Sequence, residues 1–312
     1  MASTTLLNRA SLQRIIPILL LLFAFAGTSA AEELPCNIQR RTLLYAVKGQ
    51  DSLYMDIYTN IVPPKRDAAS ADGPQTAPRA SRVAMAPRPA LIFLSGGDST
   101  AGGRDDKRYR EYLCHIAERG ITVFSIDYRL EESAKLAPLA QSALDRAVED
   151  LFTATLYILK HHFALSVDPL QIMASGSSAG AIIALQAEYY LANRKAPEQM
   201  PESFNYCGVI AFAGAIMSFG EDLQWEGMPA PIALFHGKAD NIVPFKRTQS
   251  ASGGRKVSLN GSFTIAKSLK RRGAPYMLKS YKSKDHSVAV WAMQHQLEQV
   301  YYFLQKYIFR DK

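Results

Sequence analysis

The chain is poor in cysteine, with only Cys36, Cys114 and Cys207 in 312 residues. An odd number cannot all pair, so a disulfide-stapled scaffold is excluded and at least one thiol stays free even in an oxidising compartment. Cys114 falls in a helical pattern and Cys207 precedes an apolar strand, as buried thiols do. A single disulfide through Cys36 is the alternative, and none of the three is read as a nucleophile. Long hydrophobic runs are also lacking: the longest, Ile15 to Phe25, is well short of the ~20 residues that cross a bilayer. Nucleic-acid-binding motifs and internal repeats are absent. The formal net charge of +8 therefore points to solubility and mild attraction to anionic surfaces, with no nucleic-acid partner.

What the N-terminus does have is the pattern of a secretory signal over residues 1–31. Arg9 and Arg14 precede the apolar run, and Thr28-Ser29-Ala30-Ala31 supplies small residues for cleavage. An uncleaved anchor is the other reading. Glu33-Leu34-Pro35 before Cys36 is a poor lipobox, which argues against a lipoprotein. Cleavage would remove two positive charges and leave 32–312, a length of ~280 residues that suits one α/β domain. Secretion or periplasmic export, with no stable membrane insertion afterwards, is the expected localisation.

Thr42 to Val47 and Leu53 to Thr59 alternate as two strands around a turn at Lys48-Gly49-Gln50-Asp51. Val62 to Pro89 is rich in proline and alanine and without apolar periodicity, and is read as a flexible insertion. Ala90 to Leu94 is wholly apolar, as a strand buried on both faces must be. A helix over Asp105 to Arg119, a strand over Ile121 to Tyr128 and a long amphipathic helix over Ala143 to His161 follow. Apolar strands recur at Leu170 to Ala174, Gly208 to Ala213, Pro231 to Phe235 and Tyr276 to Tyr281. Helices are expected over Thr264 to Arg272 and, to close the chain, Ala289 to Phe309. Such alternation specifies a mostly parallel central sheet with helices on both faces. Asn260-Gly261-Ser262 is a glycosylation sequon or, equally, a glycine-containing turn.

Gly176-Ser177-Ser178-Ala179-Gly180 lies where an apolar strand stops and a helical pattern begins. It matches G-x-S-x-G, in which the glycines permit close packing and leave the central serine exposed on a strained turn. Ser178 is thus a candidate nucleophile. Ligands of an α/β sheet bind at the carboxyl ends of its strands, and two further polar groups follow strands directly. Asp240 sits in the short loop after Pro231 to Phe235, and His286 in Lys284-Asp285-His286-Ser287 after the last strand. Attack on an ester needs a base for the serine proton and a carboxylate to fix the imidazole tautomer. Ser178, Asp240 and His286 supply these in the order Ser, Asp, His. Asp285 is a rival acid, but adjacency to His286 points its side chain elsewhere. An oxyanion hole requires two backbone N–H groups: one from Ala179, the other from the loop after Leu94, at Gly97 or Asp98.

With these residues assembled, Arg41 to Phe309 resembles the α/β-hydrolase superfamily, and within it the secreted, lipase-like carboxylesterases. Asp127-Tyr128-Arg129-Leu130 resembles that group's strand end, Ser177-Ser178-Ala179-Gly180 its elbow, and His236 to Pro244 its acid loop. Where the group has His-Gly-Gly-Gly, this chain has Ser95-Gly96-Gly97-Asp98, which lacks the histidine and places a carboxylate near the oxyanion. Thr248 to Ser258 has no obvious counterpart either. The resemblance implies an α/β-hydrolase fold and a serine esterase acting without metal or cofactor on a small-molecule or acylated carbohydrate ester. A prolyl-oligopeptidase-type peptidase and a non-catalytic binding protein on the same scaffold are the alternatives.

Overall fold

A computed structural model describes residues 37–61, 86–97, 103–129, 141–220, 222–252 and 255–309. The expected leader, Cys36, Asp98 and residues 62–85 of the expected insertion lie outside them. Eight strands form the main sheet: β1 (Ile38–Lys48), β2 (Asp51–Asn60), β3 (Arg88–Leu94), β4 (Thr122–Ile126), β5 (Val167–Ser177), β6 (Gly208–Phe212), β8 (Ile232–Gly237) and β11 (Tyr276–Tyr281). Their spatial order is β1-β2-β4-β3-β5-β6-β8-β11. The β1–β2 hairpin is antiparallel and β2 pairs antiparallel with β4; from β4 to β11 every pairing is parallel.

The expected apolar runs are the central strands, because a parallel strand covered on both faces can expose no polar side chain. Ala90 to Leu94 and Val209 to Phe212 are fully buried. One face is covered by α2 (Gln141–Lys160), α4 (Ala179–Ala192) and α5 (Ser262–Arg272), the other by α1 (Lys107–Glu118), α6 (Val288–His295) and α7 (Leu297–Phe303). A short helix α3 (His162–Leu165) precedes β5. Strand β5 spans 11 residues and starts earlier than its apolar run suggests.

The loops leaving adjacent strands β3 and β5 run to opposite faces, into α1 and α4 respectively. A crevice opens at such a switch point, beyond the strand ends, and the elbow lies there.

One expectation needs correction. The single closing helix is broken at Gln296 (φ −127°), whose side-chain Nε2 donates to the His295 carbonyl, and the chain ends the run in a wider π-type turn, Leu304–Ile308. The segment without a family counterpart, for which the sequence sets no structural expectation, contributes strands: β9 (Arg247–Ser252) and β10 (Arg255–Gly261) join β7 (Ala215–Phe219) in a separate antiparallel sheet of order β7-β10-β9. Within it Asn260 is fully buried and its Nδ2 donates to the Ile216 carbonyl and to Ser218 Oγ, so the sequon is a structural asparagine inaccessible to glycosylation.

Candidate active site

Ser178 stands between β5 and α4 with φ 52° and ψ −115°, a left-handed backbone that a residue with a Cβ adopts only under external constraint. Its N–H is held by the Phe212 carbonyl of the neighbouring strand at 2.8 Å. The flanking glycines permit this turn. A Cβ on Gly180 would lie 2.1 Å from the Leu94 carbonyl oxygen, and one on Gly176 would lie 2.3 Å from the backbone carbon of Gly180.

Ser178 Oγ lies 2.8 Å from His286 Nε2, and His286 Nδ1 lies 2.8 Å from Asp240 Oδ2. A carboxylate only accepts, so Nδ1 carries the proton and Nε2 presents its lone pair to the serine hydroxyl. The three residues therefore form one continuous relay, drawn from the ends of β5, β8 and β11. Burial opposes ionisation of Asp240, but hydrogen bonds from His236 and His286 and the Ile242 N–H together hold its carboxyl well below the ordinary aspartate range. The other oxygen, Oδ1, accepts from the N–H groups of Ile242 and Val243, each at 2.9 Å. Asp285 instead accepts from the Ser287 N–H at 3.0 Å, at the start of α6, and takes no part in the relay.

His236 is a partner that its place in the acid loop hid. It is fully buried on β8, and its Nε2 lies 3.1 Å from the Val243 carbonyl and 3.3 Å from the same Asp240 Oδ2 that binds His286. The Val243 carbonyl only accepts, so Nε2 carries a proton shared with the carboxylate; Nδ1 meets Ser262 Oγ at 2.7 Å. The signal available in sequence was position alone: a histidine ending an apolar strand cannot face solvent.

Ala179 opens α4, and its N–H belongs to the first helical turn, where no intrahelical acceptor exists. Gly97 follows β3 and is exposed, while Asp98 lies outside the described residues. The loop that lacks the expected histidine is tied instead by two tyrosines: Tyr128 donates to the Ser95 carbonyl at 2.7 Å, and the Gly96 N–H donates to the Tyr109 hydroxyl at 3.2 Å. The rest of the Asp-Tyr-Arg strand end is framework. Asp127 receives Arg104 at 2.8 Å, and Arg129 forms a two-pronged pair with buried Asp150. Cys114 and Cys207 are free thiols, pushed up by burial to about 11 and about 12, which fits inert groups. Among the described residues no cluster of metal-binding side chains occurs.

An eight-stranded, mostly parallel sheet with a G-x-S-x-G turn at its switch point is the α/β-hydrolase fold. Residues 80–218, less than half of the chain, match the family model BD-FAE, an α/β-hydrolase esterase family; the match takes in the loop after β3, β4 and the elbow and ends before Asp240 and His286. No curated protein matches the chain. Among solved structures, esterase 2 of Thermogutta terrifontis in its native form is 20% identical, with a TM-score of 0.58 over 85% of this chain and 91% of that one. The same enzyme phosphorylated by paraoxon is 21% identical, with a TM-score of 0.58 over 85% of this chain and 93% of that one. Its butyrate-bound form gives the same values. At this identity the likeness establishes the fold; the family match supports carboxylic ester hydrolysis as the chemistry.

Proposed function

We propose that the chain is a secreted serine hydrolase that cleaves carboxylic esters through an acyl-enzyme. The observation that carries this reading is the relay itself, Ser178 Oγ to His286 Nε2 and His286 Nδ1 to Asp240 Oδ2, each 2.8 Å, on a serine held at φ 52°. Ser178 Oγ attacks the ester carbonyl carbon while His286 Nε2 takes its proton, and Asp240 stabilises the imidazolium that forms. The carbonyl oxygen becomes an oxyanion received by the N–H groups of Ala179 and Gly97, with Asp98 the further candidate donor. Collapse of the tetrahedral adduct breaks the bond to the alcohol oxygen, which leaves with the proton from His286. Water, deprotonated by His286, then attacks the acyl-enzyme and releases the acid and Ser178.

Export is inferred from residues 1–31, and it suits a short-chain or acylated carbohydrate ester outside the cytoplasm. That the relay is complete weighs against a binding protein on a decayed scaffold. Turnover of p-nitrophenyl acetate and butyrate, and of matched peptide anilides, tests the reading with Ser178→Ala as control. Esters are expected to turn over, with loss of about 10⁴-fold or more in the variant. Equal turnover by Ser178→Ala, or faster cleavage of anilide than ester, would overturn it.

A further inference from the structure

One peptide bond of the oxyanion loop is held at both ends. Its carbonyl, on Ser95, accepts from the Tyr128 hydroxyl at 2.7 Å, and its N–H, on Gly96, donates to the Tyr109 hydroxyl at 3.2 Å. Tyr109 passes its own proton to Ser177 Oγ at 3.2 Å, and Ser177 donates to the Ala289 carbonyl at 2.9 Å. The Ala289 N–H in turn donates to the His286 carbonyl at 3.0 Å. Tyr109 is 2% exposed and Ser177 fully buried, so water does not compete for these bonds.

The direction of the chain is fixed, because Gly96 N–H can only donate and the Ala289 carbonyl can only accept. It begins in the oxyanion loop, passes beside the nucleophile and ends on the helix that follows the base. Gly96 is tightly enclosed, since a Cβ there would lie 2.9 Å from the Tyr109 hydroxyl and 3.2 Å from Ser178 Cβ. Two successive glycines have little intrinsic preference for one backbone direction, so the orientation of the next N–H, that of Gly97, must be imposed from outside. Gly96 N–H is committed to Tyr109, so among the described residues of this loop the next N–H, that of Gly97, is the candidate to face substrate.

We propose that Tyr109 is a positioning residue for the reaction: its hydroxyl, between Gly96 N–H and Ser177 Oγ, fixes the peptide plane that aims the oxyanion donor relative to Ser178 and His286. This rests on the reading of Ser178 as nucleophile. Tyr109 belongs to α1 and touches no reacting atom. It anchors a loop that lacks the histidine of the group this chain resembles.

The test is Tyr109→Phe, which removes one oxygen and keeps the ring against Phe93, now 5.2 Å away between centroids. Steady-state kinetics on p-nitrophenyl acetate are paired with the affinity of a phenylboronic acid, a mimic of the tetrahedral adduct, and with the thermal midpoint. The expected result is a fall in kcat of ~10–100-fold with KM within ~3-fold, and boronate affinity weakened by the same factor as kcat/KM. Ser177→Ala should give a smaller loss of the same kind, and the double variant should be no worse than Tyr109→Phe. Unchanged kcat, a kcat loss that boronate affinity does not follow, or fully additive losses would overturn the proposal. Should Tyr109→Phe not fold, Ser177→Ala decides by the same two readouts. Wild-type protein that neither turns over the ester nor reacts with a fluorophosphonate would sink the nucleophile reading itself, a failure distinct from that of Tyr109.

Discussion

The eight-stranded and three-stranded sheets both pack on helix α4 and both bury apolar side chains, Ile216 and Met217 in the smaller, but the smaller adds a set of specific polar bonds. In the larger sheet the central strands are buried apolar runs, such as Ala90 to Leu94 and Ile232 to Phe235. In the smaller one the specific bonds are polar: Asn260 to Ile216 and Ser218, Ser258 Oγ to the Gly220 carbonyl at 2.8 Å, and Gln249 Nε2 to Ser258 Oγ at 3.1 Å. Gln186 of α4 adds a reciprocal pair with the Met217 backbone. The large sheet supplies the strand ends that carry Ser178, Asp240 and His286. The small one supplies none of them, but the end of β10 packs against the acid loop at the Pro244 carbonyl, Gly261 N–H bonds the Lys246 carbonyl just past that loop at 3.1 Å, and Ser262, which opens α5 directly after β10, holds His236. Hydrophobic burial places a site coarsely; buried polar contacts on an added sheet fix one of its loops.

The sharpest challenge to this division is Gly261→Ala. A Cβ there would fall 1.6 Å from the Pro244 carbonyl oxygen, so the acid loop or β10 must move. Denaturant titration should show a loss of roughly 4 kcal/mol or more, and kcat per folded molecule should fall as well. A stability loss with kcat intact would mean that the small sheet does not brace the site.

Next in size is the pH response of Glu188, fully buried on α4. Its Oε1 accepts from the Ala230 N–H at 2.7 Å and its Oε2 has no hydrogen-bond partner among the described residues. Burial pushes its carboxyl up to about 8, with the Ala230 N–H as a smaller opposing influence. The folded-state value lies above the unfolded one, so the unfolded chain ionises first. Stability from the protonated form is full below about pH 4.5 and is lost as pH rises to about 8. Glu188→Gln should therefore match wild type near pH 5 and exceed it by roughly 2–4 kcal/mol at pH 8. Urea titrations at both values check this, and a variant equally stable or weaker at pH 8 would refute it.

Smaller effects compare the sheets directly. Asn260→Ala leaves the Ile216 carbonyl and Ser218 without their donor and should cost about 1–3 kcal/mol. Ile92→Val in β3 removes one buried methyl group and should cost about 1 kcal/mol. The comparison fails if the apolar deletion proves the costlier of the two.

The same contrast explains what could be read from the chain. Ala90 to Leu94 and Gly208 to Ala213 announce buried strands because no other element hides so many consecutive apolar residues. Ser178 and Asp240 stand out as candidates because each follows such a run, and His286 because it follows the more mixed strand Tyr276–Tyr281; the structure brings the three side chains together. Arg255 to Gly261 was not, since a strand stabilised by side-chain amides and hydroxyls has the composition of a loop. Tyr109 and His236 act through partners distant in sequence, Ser177 and Ser262, and nothing local in the chain marks those bonds. The break at Gln296 was hidden for a related reason: Ala289 to Phe309 keeps its apolar periodicity across the interruption.

The central claim is that Ser178 is a nucleophile activated by His286, and labelling of the purified protein with a fluorophosphonate tests it most directly. One equivalent of phosphonate on Ser178 in wild type, absent in Ser178→Ala and slowed by at least ~10³-fold in His286→Ala, is the predicted result. A folded wild type that stays unlabelled, or labelling that persists in Ser178→Ala, would contradict it.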